Sequence, residues 1–193
     1  DALSTEKVDN IEIGGRNLFA ATKSTRPEVV SSKEFTGAFW ATQIQGVGWV
    51  NEVFKPSTQY TISYSVEILD KYPAASSSQA HAQFYLYNAS SGSGRLMGRI
   101  SQSDYDNSEV GDIFYVKNTF TTPSDLSGFG IIIYTASVPG YDRPRMTFRN
   151  VKIEKGNKAT DWTPAPEDVQ AEIDDAKQEA LTAAGNAQTS ANT

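Results

Sequence analysis

An all-β sandwich or barrel followed by one helix is the fold class this sequence predicts, and three observations predict it. Apolar and polar residues alternate through the middle of the chain, turn-forming residues punctuate that alternation, and from Pro164 the periodicity becomes helical. Many strands with no helix between them cannot build a parallel sheet, which leaves a sandwich or a barrel.

The clearest strand covers residues 60–68, where Tyr60, Ile62, Tyr64, Val66 and Ile68 alternate with Thr61, Ser63, Ser65 and Glu67. Residues 80–88 set Ala82, Phe84 and Leu86 against His81, Gln83, Tyr85 and Tyr87, and residues 112–121 set Phe114, Val116 and Phe120 against Tyr115, Lys117 and Thr119. Two further strands are predicted at 128–137 and 145–156, with shorter ones at 11–13, 39–42 and 48–54. "KPST", "NASSGSG", "TTPSDLSG" and "VPGYDRP" supply the turns between them. In the helical segment Pro166 suits a first helical position, Glu167 and Asp168 complement the positive end of the dipole, and Thr163 is the expected cap. Val169, Ile173, Ala176, Ala180, Ala183 and Ala187 then recur at heptad spacing, a seam made mostly of alanine. Such a seam fits either a single surface helix or a coiled coil, so homo-oligomerisation through the flanking helices stays open.

Composition bounds the function. The chain has 193 residues, 38% hydrophobic, enough for one core plus an appendage. Its net charge of −6 argues against a surface that tracks nucleic acid. With no cysteine there is no disulfide, thiol nucleophile or thiolate zinc site, and with one histidine there is no His-based metal cluster. Apolar runs of only a few residues exclude a membrane-spanning helix. The chain lacks an initiator methionine and reads as a stretch of a longer protein, with residues 1–10 ending a preceding linker or helix, 11–163 forming the sandwich and 164–193 a helical linker.

Catalysis finds little support. Glu67, Asp70, Asp104, Asp106, Glu109 and Asp112 are acids, but nothing in their spacing singles out a hydrolytic pair. No G-x-S-x-G elbow accompanies the abundant serines, and "SSGSGR" lacks the lysine and spacing of a phosphate loop, so it reads as a flexible loop. "SDYDNSEVGD", residues 103–112, offers hard oxygen ligands from Asp104, Asp106, Asn107, Glu109 and Asp112, yet departs from the EF-hand pattern and reads first as a solvated acidic loop.

Two segments carry a resemblance. "IGGRNLF" at residues 13–19 and "NVKIEKGNKATDWTPAPEDV" at residues 150–169 resemble the opening and closing signatures of jelly-roll carbohydrate-binding modules in tail-tip, baseplate and receptor-binding proteins of phages and prophages of Gram-positive bacteria. The residues of the signatures read as structural: Gly14 and Gly15 for a turn, Asn17 for a side-chain to backbone bond, Leu18, Val151 and Ile153 for the core, and Trp162 as a plug where the chain leaves the sandwich. The resemblance implies a jelly-roll sandwich in a virion, outside the host cell, that adheres to cell-wall or capsular polysaccharide beside other tail or baseplate subunits. It implies no catalysis and no cofactor, and it allows a structural calcium.

Sugar sites need aromatic faces for the apolar side of a pyranose and polar side chains for its hydroxyls. Gln83, Tyr85 and Tyr87 form the most specific candidate set, in a row on one strand face, and Tyr115 occupies the corresponding side of another strand. Trp40, Trp49, Tyr134, Arg143, Tyr141 and Arg95 complete the candidates. Core packing competes for each lone aromatic. Two other classes remain: a structural spacer whose sheet face packs on a neighbouring subunit, and a polysaccharide depolymerase.

Overall fold

The computed structural model describes residues 14–71, 81–135 and 143–191. Strand β3 (Gln59–Ile68) shows how the layers arise, since Tyr60, Ile62, Tyr64, Val66 and Ile68 all face inward and are buried. It pairs antiparallel with β6 (Ile113–Thr121) on one side and β8 (Met146–Lys155) on the other. With β1 (Glu34–Gly37) beside β8, the first sheet has the order β1-β8-β3-β6. The second sheet has the order β2-β7-β4-β5, from β2 (Thr42–Gln45), β7 (Phe129–Tyr134), β4 (His81–Asn88) and β5 (Ser93–Ile100). The two sheets form the expected all-β jelly-roll sandwich. Rings join the two layers: Phe84 of the second sheet meets Phe148 of the first edge-on at 5.6 Å, and within the first sheet Phe148 stacks on Phe35 at 5.1 Å.

Several elements differ from expectation. Residues 48–54 are not a strand: Val47–Val53 is a helix, α1, because Trp49, Val50, Val53 and Phe54 present one apolar face at helical rather than alternating spacing. Strands β1 and β5 were not expected, and the glycine-rich "SSGSGR" is the turn into β5 rather than a free loop. The acidic stretch holds a second short helix, α2 (Gln102–Asn107), capped by the Ser101 hydroxyl accepting from Asp104 N–H at 3.0 Å. Expected strand 11–13, residues 1–10 and Tyr141 lie outside the described residues. The C-terminal helix, α3 (Pro166–Ala191), begins at Pro166 as expected, but Thr163 does not cap it; its hydroxyl donates to the Gly15 carbonyl instead. From Glu172 to Ser190 every residue of α3 is exposed, the alanine seam included.

Four buried polar side chains, Asn17, Lys152, Glu154 and Asp168, tie the opening and closing segments of the sandwich together. Asn17 is fully buried and uses its whole hydrogen-bonding capacity. Its amide donates to the Val151 and Thr163 carbonyls at 2.9 and 3.1 Å, while its oxygen accepts from the N–H groups of Phe19 and Ile153 at 2.9 and 3.1 Å. Glu154 accepts from the N–H groups of Gly15 and Thr160 and from the Thr160 hydroxyl. Its partner Lys152, equally buried at 1% exposure, reaches the Thr160 hydroxyl and the Asp161 carbonyl. Asp168, in the first turn of α3, accepts from the N–H groups of Ala21 and Thr22 and so closes a 3₁₀ turn at Ala21–Lys23. Gly14 is required by contact, for a Cβ there would lie 2.2 Å from the Lys155 carbonyl oxygen.

Replacing Asn17 by alanine strands four backbone groups in the interior at once. Asn17→Ala is expected to cost at least about 3 kcal/mol, measured as a fall in the urea midpoint at unchanged m-value.

Candidate functional site

The outward face of the second sheet collects aromatic and amide side chains. On β4, Ala82, Phe84 and Leu86 are buried in the core, so Gln83, Tyr85 and Tyr87 take the other side and are half-buried. On β7, Ile131 and Ile133 face inward, which turns Gly130, Ile132 and Tyr134 outward. Register aligns these residues in three rows: Tyr134 with Gln83, then Gln43, Ile132, Tyr85 and Leu96, then Gly130, Tyr87 and Gly94.

Glycines and rings shape this surface together. Tyr87 is flanked by a glycine on each neighbouring strand, and neighbouring side chains lie over both: the Tyr85 ring over Gly94 and the Gln43 amide over Gly130. A Cβ built on Gly94 would lie 2.3 Å from Cε1 of Tyr85, which means that the Tyr85 ring leans across the bare backbone of β5. Ile132, although outward-facing, is only 5% exposed, so its neighbours cover it and leave rings and amides as the visible surface. At the upper edge Trp40 packs edge-on against Tyr134 at 5.9 Å, and the Arg143 guanidinium sits 5.7 Å over the Trp40 ring. Burial, with the Tyr87 and Tyr85 hydroxyls nearby, pushes the Tyr134 phenol above the ordinary tyrosine range. The Tyr134 phenol therefore remains a neutral donor and acceptor at physiological pH.

Six sequence candidates thus meet on one face: Gln83, Tyr85, Tyr87, Tyr134, Trp40 and Arg143. The others do not join them. Trp49 is buried in α1, with its indole N–H donating to the Leu18 carbonyl at 3.1 Å, so it serves the core. Tyr115 lies on β6 of the other sheet, 86% exposed, and cannot act with Tyr85 on one ligand surface. Arg95 is exposed on β5, opposite Leu86. Trp162 is half-buried in the segment between β8 and α3, and its indole N–H is enclosed without an acceptor among the described residues. Gln43, Leu96, Gly94 and Gly130 were missed as members of the site. Alternation in "GRLMGRI" could have revealed β5, and with it Gly94 and Leu96.

The acids do not assemble. Asp104 and Asp106 lie on α2, where Asp106 accepts from the Gln102 amide, while Asp112 accepts from the Glu109 N–H in the following turn. Among the described residues no group of three or more acidic or histidine side chains is placed to hold a metal. Glu67 is paired with Arg149, and Asp70 with Arg145, whose guanidinium draws the half-buried Asp70 carboxyl below its ordinary range. Among the described residues, no helix is long and apolar enough to cross a membrane.

No protein-family model and no curated protein matches the chain. Among solved structures it is similar to the tripod from the baseplate of bacteriophage Tuc2009, with 16% identity and a TM-score of 0.52 over 81% of this chain. The chain shares its fold with a phage baseplate component. It spans 60% of the length of that component. Looser likenesses, at TM-scores of 0.38 and 0.32 and 13% identity, are to the CBM22-1 xylan-binding domain of Paenibacillus barcinonensis Xyn10C and a family 16 carbohydrate-binding module. These cover 65% and 64% of this chain and 72% and 71% of theirs, and are too loose to bear on function.

Gly94 provides a handle on the platform. Gly94→Ala is expected to displace the Tyr85 ring while changing stability by no more than about 1 kcal/mol, seen as altered Tyr85 ring signals in aromatic NMR with those of Tyr115 unmoved.

Proposed function

We propose that this chain is a non-catalytic saccharide-binding module of a phage tail or baseplate protein, adhering to the cell-wall or capsular polysaccharide of a Gram-positive host. The observation that carries the reading is the outward face of the β2-β7-β4-β5 sheet, where Tyr85, Tyr87, Tyr134 and Trp40 stand among Gln43, Gln83 and Arg143. Rings of this kind stack on the apolar side of a pyranose, and amides and a guanidinium satisfy its hydroxyls. The baseplate-like fold and the sequence signatures support placing the module on a virion, outside the host cell. Binding at one open sheet face is weak, and many copies on one particle make it effective without new contacts. The exposed seam of α3 offers a means of bringing copies together as a homo-oligomer.

A second reading, a spacer that packs on another tail subunit, draws on a different surface. Val110, Ile113 and Tyr115 are exposed at 62%, 49% and 86% on and beside edge strand β6. Exposed apolar groups on a sheet edge fit a subunit contact. The two readings assign different sheets to different partners and are compatible.

The test uses the chain as a fluorescent fusion on intact Gram-positive cells and on their extracted wall polysaccharide. Saturable labelling is expected, competed by the polysaccharide, with Tyr85→Ala and Tyr87→Ala each weakening it by about tenfold or more and Tyr115→Ala leaving it intact. No reducing ends are expected to appear. Absence of labelling by the folded protein across a broad strain panel would leave the spacer reading alone.

A further inference from the structure

Away from the aromatic face, a cleft of about 510 Å³ opens at the end of the sandwich where the N-terminal segment passes α1 and the tip of β8. Leu18 and Val53 give it apolar wall, and Arg16, Lys55 and Lys155 bring three cations to its rim. That concentration stands out in a chain of net charge −6. Arg16 is partly neutralised by Glu167. Lys55 and Lys155 form no ion pair with any described residue.

Tyr60 supplies an independent sign of a ligand. It lines the cleft directly opposite Lys155 in the β3–β8 register and is 1% exposed. Its oxygen accepts from the Lys55 N–H at 2.8 Å, and its own hydroxyl proton meets no acceptor among the described residues. A buried hydroxyl donor calls for an acceptor, and two uncommitted ammonium groups beside it call for a negative one. We infer that this cleft is a second binding site, which takes the acid group of an anionic sugar. The acid is held between Lys55, Lys155 and Arg16 and accepts from the Tyr60 hydroxyl, while the sugar body rests on Leu18 and Val53. The volume lies within the range of small-ligand sites and accommodates a monosaccharide unit. The site shares no residue with the sheet face, so the two stand or fall separately.

The experiment is an amide NMR titration of the chain with glucose 6-phosphate, glucuronate, glucose and sodium sulfate at matched ionic strength. Saturable shifts at Arg16, Leu18, Lys55 and Tyr60 are expected with at least one anionic sugar and not with glucose, and the two acids tell phosphate from carboxylate. Raising salt from about 50 to 500 mM should weaken the binding, since the partners are largely exposed charges. Lys55→Gln and Lys155→Gln should each weaken it up to about fivefold, while Lys177→Gln, which removes the same charge far along α3, should not. Thermal melts verify that each variant is folded. No saturation, equal shifts with glucose, or equal shifts with sulfate, which would mean an adventitious ion only, would each overturn the site.

Discussion

Everything in this molecule depends on a polar seam sealed inside it. Asn17, Glu154 and Asp168 come from three places in the chain, and each satisfies backbone groups belonging to another. Burying such side chains is costly unless every donor and acceptor is matched, so the seam forms only when the N-terminal segment, β8 and the start of α3 are all in place. It therefore acts as a latch on the whole sandwich.

The latch also decides which faces remain for recognition. Strand β8 carries a bulge at Asn150, which holds a left-handed backbone at φ 54°, and beyond it Val151 and Ile153 return to the core while Lys152 and Glu154 face outward beneath the exit segment. The first sheet is thus covered at one end, and elsewhere its outer face is threaded by the Arg149 ion pairs with Glu34 and Glu67. The outer face of the second sheet is half-buried at Gln83, Tyr85, Tyr87 and Tyr134. Gly94 lets the Tyr85 ring lie across β5, and Gly130 lets the Gln43 amide lie across β7. A half-buried face of rings and amides is what the proposed saccharide site requires.

Much of this was legible in the sequence, for identifiable physical reasons. Strands β3, β4 and β6 announce themselves because apolar residues alternate with polar ones along each, whereas β7, buried on both faces, shows as a short continuous apolar run. The same alternation separates Gln83, Tyr85 and Tyr87 from the core. What was not legible depends on register. Tyr115 has the same sequence character as Tyr85, and only strand order shows that it belongs to the other sheet. Trp49 sits among valines and glycines that resemble a strand, while its real spacing is helical. Short strands such as β1 carry too few residues for a period to be read. The cationic cleft is assembled from residues 16, 55 and 155, whose proximity no local pattern encodes.

The central claim is that the open face of the second sheet binds saccharide through its rings. Saturation-transfer NMR between wall polysaccharide and the selectively labelled aromatic rings tests it most directly. Transfer from Tyr85, Tyr87 and Trp40 to sugar protons, with none from Tyr115, is the result this account predicts. Transfer from Tyr115 alone, or from no ring at all under conditions where the polysaccharide is bound, would contradict it.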